Sequence, residues 1–93
     1  MASVCTGAML LAPAGVVGPR PATTHHGARA DLRGTEATVL ADRVVDDGDL
    51  VTCGGVTSGL DLARWLVERL ASAEAAAAVA RTLEYTPVRP AGP

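Results

Sequence analysis

The hydrophobic and polar positions along this chain change period several times, and each change predicts an element. From Thr6 to Ala12 good helix formers dominate, with Met9, Leu10 and Leu11 supplying apolar surface. Pro13 removes an amide and crowds the carbonyl of Met9, so this helix is expected to end near Ala12. Gly15, Gly18, Pro19 and Pro21 punctuate a loop, and Ala22-Thr23-Thr24 then reads as a short strand that delivers His25 and His26. Ala28 to Arg33 fits a helical turn stopped by Gly34. Between Thr35 and Cys53 the pattern turns to strands: Thr38-Val39-Leu40, Arg43-Val44-Val45 and Leu50-Val51-Thr52. Asp47-Gly48 between two β-branched runs predicts a hairpin with a type I′ turn, which needs positive φ at both central residues.

The carboxyl-terminal part reads as helical. Gly54-Gly55 breaks the last strand, and Thr57 or Ser58 is placed to cap a helix that runs through Ala71. Ser58 with Asp61 three residues on matches a capping box. Leu60, Ala63, Val67 and Leu70 recur at helical spacing and are expected to form the buried face, with Asp61, Arg64 and Glu68 on a wet one. A second helix is expected from Ser72 through the alanine-rich stretch to about Glu84, and Pro87, Pro90 and Pro93 mark an extended tail.

Composition narrows the class. The 93 residues allow one small domain, and a chain this short buries only about 60 per cent of the surface its unfolded form exposes. The formal net charge of -2 argues against a polyanion-binding surface, so no nucleic acid partner is expected. The chain has no Lys, Asn, Gln, Ile or Phe while Ala, Arg, Gly and Val abound. This resembles a coding bias, and the missing lysines carry no functional message. Cys5 and Cys53 are too few for a disulfide framework, which suits a reducing compartment and a cytoplasmic location. Ala8 to Ala12 followed by Pro13-Ala14 imitates a signal peptide, yet the first basic residue is Arg20. No uncharged apolar run reaches the roughly 18 residues of a spanning helix, so no membrane partner is expected.

The candidate chemistry centres on Ser3-Val4-Cys5-Thr6-Gly7, a small residue, a nucleophile and a small residue spaced as in a nucleophile elbow. A cysteine at the amino end of a helix sees the positive end of the macrodipole, which favours thiolate, and the Thr6 amide is placed to stabilise an oxyanion. The alternative is a cysteine packed as a small hydrophobe, the usual fate of an isolated one. His25 and His26 include a candidate base for Cys5, although neighbours on a strand point to opposite faces and only one faces a given pocket. A strand-end histidine bonded to backbone is the competing assignment. The cysteines and histidines lack a zinc spacing, so no metal is expected. Gly54-Gly55-Val56-Thr57-Ser58-Gly59 either presents amide groups to a substrate oxygen or is simply a tight turn with a cap. Cys53 is expected to pack as a small apolar residue, since a bridge to Cys5 would need Cα atoms within about 7 Å and would silence the nucleophile.

Taken together, Ser3-Val4-Cys5-Thr6-Gly7-Ala8, Ala22-Thr23-Thr24-His25, Val44 to Asp49, Gly54 to Leu62 and Leu83-Glu84-Tyr85 resemble the carboxyl-terminal half of the PfpI/ThiJ superfamily, closest to its isonitrile hydratase-like branch. The resemblance implies an α/β fold, a partial three-layer flavodoxin-like sandwich of the glutamine amidotransferase kind whose amino-terminal half is missing. Residues 1–86 would form the carboxyl-terminal portion of that domain and 87–93 a Pro-rich tail. It makes Cys5 the nucleophile with Thr6 beside it, and Gly7, His25, Gly55 and Thr57 pocket or supporting residues. It implies a small-molecule substrate, no cofactor and no metal, and it leaves a homodimer open. The family's carboxylate partner comes from the amino-terminal half and has no counterpart here, so the chain as given is expected to be inactive, either a truncated member or the product of a mis-started gene. His26 stands where the branch usually has Trp. The alternatives left standing are a ligand-sensing domain related to AraC-type regulators and a remnant without function.

Overall fold

The computed structural model describes residues 1–55, 57–84 and 90–91. Its elements are β1 (Ala2–Ser3), α1 (Ala8–Leu11), β2 (Pro21–Ala22), α2 (Arg29–Arg33), β3 (Thr38–Val39), β4 (Val44–Asp46), β5 (Val51–Cys53), α3 (Ser58–Leu70) and α4 (Ala73–Thr82), with 3₁₀ turns at Cys5–Gly7 and His26–Ala28. One sheet has the order β1-β5-β4, with β1 parallel to β5 and β4 antiparallel to it. In a second sheet β2 lies parallel to β3. Pro21 is tolerated because it is the first residue of β2, and the bonds that join it to β3 run from Thr38 N–H to the Arg20 carbonyl (3.1 Å) and from Leu40 N–H to Ala22 (2.9 Å). Ala91 of the predicted tail forms a parallel bridge with Val45, while Val56, Tyr85, Pro87 and Pro93 lie outside the described residues.

Two apolar clusters flank the strands, and the pleat decides which residue serves which. Leu50 joins Val17, Ala22 and Leu32 under α1 and α2, whereas its neighbour Val51 joins Val44, Cys53 and Leu62 under α3. This helix, strand, helix layering is the α/β arrangement that the pattern of elements predicts.

The hairpin between β4 and β5 forms, but not through the expected two-residue type I′ turn. Pairing stops at Asp46 opposite Val51, and among the residues of the connection only Gly48 has positive φ (81°). The carboxylate of Asp46 explains the difference. Its Oδ1 accepts the Gly48 amide at 2.8 Å, while Oδ2 accepts from Trp65 Nε1 (2.6 Å) and Arg69 (3.1 Å). An aspartate held from both sides draws the chain into an Asx turn, and Asp47 N–H then closes on the Leu50 carbonyl at 2.8 Å.

The face of α3 also departs from expectation. Leu60 and Leu70 are exposed, at 43 and 82 per cent, whereas Asp61 and Leu62 are buried and Trp65 and Leu66 pack against the core. The helix carries two apolar stripes. The one with Leu62, Trp65 and Leu66 packs against the sheet, and Leu60, Ala63 and Val67 are left to meet Val79, Ala80 and Leu83 of the α4 region around a shallow cavity of about 70 Å³. The capping box does not form: Thr57 holds the N-cap position without a side-chain cap bond, Ser58 is already inside the helix, and the Asp61 carboxylate pairs with Arg43. Ser72 does cap α4, accepting the Ala75 amide at 3.0 Å.

The Arg43 Nε to Asp61 Oδ2 contact of 2.7 Å joins a carboxylate with no exposure to a guanidinium that is 39 per cent exposed. Removing Arg43 takes the ion-pair partner from a carboxylate with no exposure, whereas removing Asp61 leaves a cation that water can still reach. We therefore expect Arg43→Met to cost about 3–5 kcal/mol and Asp61→Leu distinctly less, as read by denaturant unfolding. Equal losses would contradict this asymmetry.

Candidate active site at Cys5

Val4 is extended (φ -119°, ψ 140°), and the chain then turns at once into the 3₁₀ segment that leads to α1. Cys5 makes that turn with φ of 56°. The left-handed region costs a residue with a Cβ about 1–2 kcal/mol, so surrounding bonds must hold it there. Three do. The Cys5 amide donates to the Gly54 carbonyl (2.9 Å), and the Cys5 carbonyl accepts from His25 N–H (3.2 Å) and from Thr24 Oγ1 (2.8 Å). The side chain of Cys5 is partly exposed, and Thr6 beside it is exposed.

Cys53 sits at the end of β5 with no exposure. Burial pushes its thiol above the ordinary range, and a hydrogen bond with the neighbouring Cys5 backbone pulls the other way. Both cysteines are free thiols.

His25 lies between the elbow and the glycine turn. Its Nδ1 accepts the Gly27 amide at 3.0 Å. By that hydrogen bond the neutral ring is assigned its proton on Nε2. Gly55 packs closely against this ring: a Cβ at that position would stand 3.3 Å from His25 Cδ2, so the ring would have to give by a few tenths of an ångström. His26 is exposed and its ring lies 4.2 Å from that of His25.

Next to the elbow is an open cleft of about 340 Å³ whose walls include His25, His26, Arg29, Arg43, Gly55 and Thr57. The structure thus brings His25, Gly55 and Thr57 to one cleft, and main-chain bonds to His25 and Gly54 tie Cys5 to its walls. Thr6 and Gly7 stay with the turn at Cys5, outside those walls. Arg29 and Arg43 were not legible as site residues, because the contact of Arg43 with Asp61 spans 18 positions and no local spacing announces it. Among the described residues no group of three or more His, Cys, Asp or Glu is placed to hold a metal ion, and no helix is long and apolar enough to cross a membrane.

Comparison with known proteins gives a consistent result. The profile of the DJ-1/PfpI family matches residues 1–69. Over 88 residues the chain is 42% identical to an isonitrile hydratase of Pseudomonas putida, covering 95% of this chain and 39% of that one. A ThiJ/PfpI family protein from Pseudomonas syringae superposes with a TM-score of 0.85 at 36% identity, covering 97% of this chain and 37% of the other. For Drosophila melanogaster DJ-1beta the TM-score is 0.84 at 28% identity, with 91% and 46% covered. The chain therefore spans less than half the length of each of these relatives.

The backbone at Cys5 gives a direct test. In an ordinary helix or strand alanine is more stable than glycine, but at positive φ the order reverses. Cys5→Gly is expected to be more stable than Cys5→Ala by about 1 kcal/mol in thermal unfolding. The usual order would mean that the left-handed turn is not populated.

Proposed function

As the chain belongs to the DJ-1/PfpI family, we propose that it is the carboxyl-terminal portion of a cysteine-dependent enzyme of the isonitrile hydratase kind, with Cys5 as nucleophile. The observation that carries this reading is the left-handed turn at Cys5, between β1 and the 3₁₀ lead-in to α1. Strain of this size at a partly exposed thiol is what a nucleophile elbow requires, and a packing role for the side chain would not need it. The 42% identity to an isonitrile hydratase supports the choice of reaction.

In this reading the Cys5 sulfur forms a bond to the terminal carbon of the isonitrile, and that carbon takes up a proton to give a thioformimidate. Water adds to the same carbon and a proton passes to nitrogen. The hydroxyl group then loses its proton as the C–S bond breaks, releasing an N-substituted formamide and the thiolate. The sum is one isonitrile plus one water. Thr6 borders the thiol, and Gly7, His25, Gly55 and Thr57 shape the turn and the cleft. Residues 1–86 serve as the enzyme portion and 87–93 as a tail. The carboxylate that assists Cys5 belongs to the portion of the relatives that this chain does not span, so the chain alone does not turn over, and the complete enzyme works as a homodimer on a small molecule in the cytoplasm.

Two measurements test the assignment. Iodoacetamide should alkylate Cys5 at least about tenfold faster than Cys53 at neutral pH, because only Cys5 combines access with a helix amino end while burial keeps Cys53 a thiol. Peptide mass spectrometry reads both rates, and equal slow labelling counts against an activated thiolate. For the reaction itself, the chain can be fused behind the portion of the Pseudomonas putida isonitrile hydratase that it does not span. The fusion is expected to form formamide from an alkyl isonitrile, the 93-residue chain to stay at the buffer rate, and Cys5→Ala to abolish turnover. A folded fusion whose rate is indifferent to Cys5→Ala would overturn the reading.

A further inference from the structure

The cleft beside Cys5 carries a charge that the proposed reaction does not use. Of its two guanidinium groups, Arg43 is balanced by Asp61 and also donates to Thr57 Oγ1 at 3.2 Å. Arg29 is different. Among the described residues no carboxylate stands within ion-pair distance of it; one terminal nitrogen reaches the Ala41 carbonyl only at 3.4 Å, and Nε is buried with no hydrogen-bond acceptor. A guanidinium that lines a cleft partly out of water with no carboxylate beside it is costly until an anion meets its terminal nitrogens. On the same wall, the bond from Gly27 to Nδ1 leaves His25 with an Nε2–H donor near Gly55, where an ideal Cβ would lie 3.7 Å from that nitrogen. The cleft thus has one uncompensated positive charge and a fixed neutral donor, with space of about 340 Å³ between its walls.

We propose that this cleft is an anion subsite, in which Arg29 is the counter-ion and His25 Nε2–H a second donor to the oxygen atoms of a carboxylate or phosphate group. Arg29 binds such a planar or tetrahedral oxyanion through its free guanidinium donors, the pairing for which arginine is best suited. The proposal deepens the reading of Cys5, on which it rests for one point: the substrate of the thiol is a small molecule with an anionic end, held on the His25 side of the elbow. Main-chain bonds from Cys5 to Gly54 and from His25 to Cys5 fix the distance between the two ends.

The test uses the 93-residue chain with labelled histidines, followed by NMR while inorganic phosphate, and separately acetate, is added at constant ionic strength. The expected result is a saturable shift of the His25 ring signals with at least one of the two anions, and the comparison of the arms says which oxyanion is preferred. Arg29→Gln should weaken the apparent affinity at least about tenfold, Arg29→Lys much less, and Arg33→Gln, at the exposed end of α2, not at all. Failure to saturate with either anion in the unsubstituted chain overturns the proposal without reference to any variant. Equal affinity in Arg29→Gln overturns it too. The same titration on Cys5→Ser separates the two ideas: phosphate or acetate binding there, with no fast alkylation of Cys5 in the unsubstituted chain, sinks the nucleophile and leaves the subsite standing.

Discussion

The main chain of Cys5 is the junction on which the other segments close. Its amide holds Gly54, and its carbonyl holds both the amide of His25 and the hydroxyl of Thr24. Three stretches far apart in sequence therefore meet at one residue, and each bond also helps to keep Cys5 in a backbone region that costs about 1–2 kcal/mol for a side chain of its kind. The register of β1 against β5, Ser3 opposite Thr52, brings Gly54 level with Cys5, so the elbow is a consequence of strand pairing as much as of the Ser-Val-Cys-Thr-Gly run itself.

A second set of bonds secures the opposite side of the sheet. Asp46 ties the end of β4 to Trp65 and Arg69 of α3, and Arg43 ties the start of the same strand to Asp61. With both ends of β4 anchored, the rotation of α3 about its axis is decided by these polar contacts together with the burial of Leu62, Trp65 and Leu66. That rotation carries Thr57, which leads into α3, to the rim of the cleft beside Cys5 and sets Asp61 against Arg43 from the start of β4, so that Arg43 is neutralised and Arg29 is not. Arg43 has the Asp61 carboxylate of α3 at 2.7 Å, whereas among the described residues no carboxylate stands within ion-pair distance of Arg29.

Much of the element pattern was readable from local rules. Pro13 ends α1 after Leu11 and Ala12, the β-branched runs become β3, β4 and β5, and Ser72 caps α4 as its side chain allows. The misreadings share one cause. Ser58 with Asp61 and Asp47-Gly48 are sound local signals, but in each place an aspartate had a stronger partner at a distance: Arg43 for Asp61, and Trp65 with Arg69 for Asp46 beside the turn. Local hydrogen bonds of modest strength yield to charge-assisted ones in a partly buried setting. The choice of apolar stripe on α3 failed for a related reason, since period alone cannot rank two stripes and tryptophan settles the matter only once the sheet is there to receive it.

By itself the sequence determined the alternation of strands and helices, the position of the Ser-Val-Cys-Thr-Gly run and the resemblance to one α/β family, because propensity, proline and glycine act within a few residues. The tertiary structure decided which face of α3 is buried, which arginine among the described residues has no carboxylate beside it, and which segments close on the main chain of Cys5. Those properties depend on partners up to dozens of positions away, such as Cys5 with Gly54 and Arg43 with Asp61. No local period or spacing encodes them, since their energies arise only when folding brings the two partners together and takes at least one of them out of water.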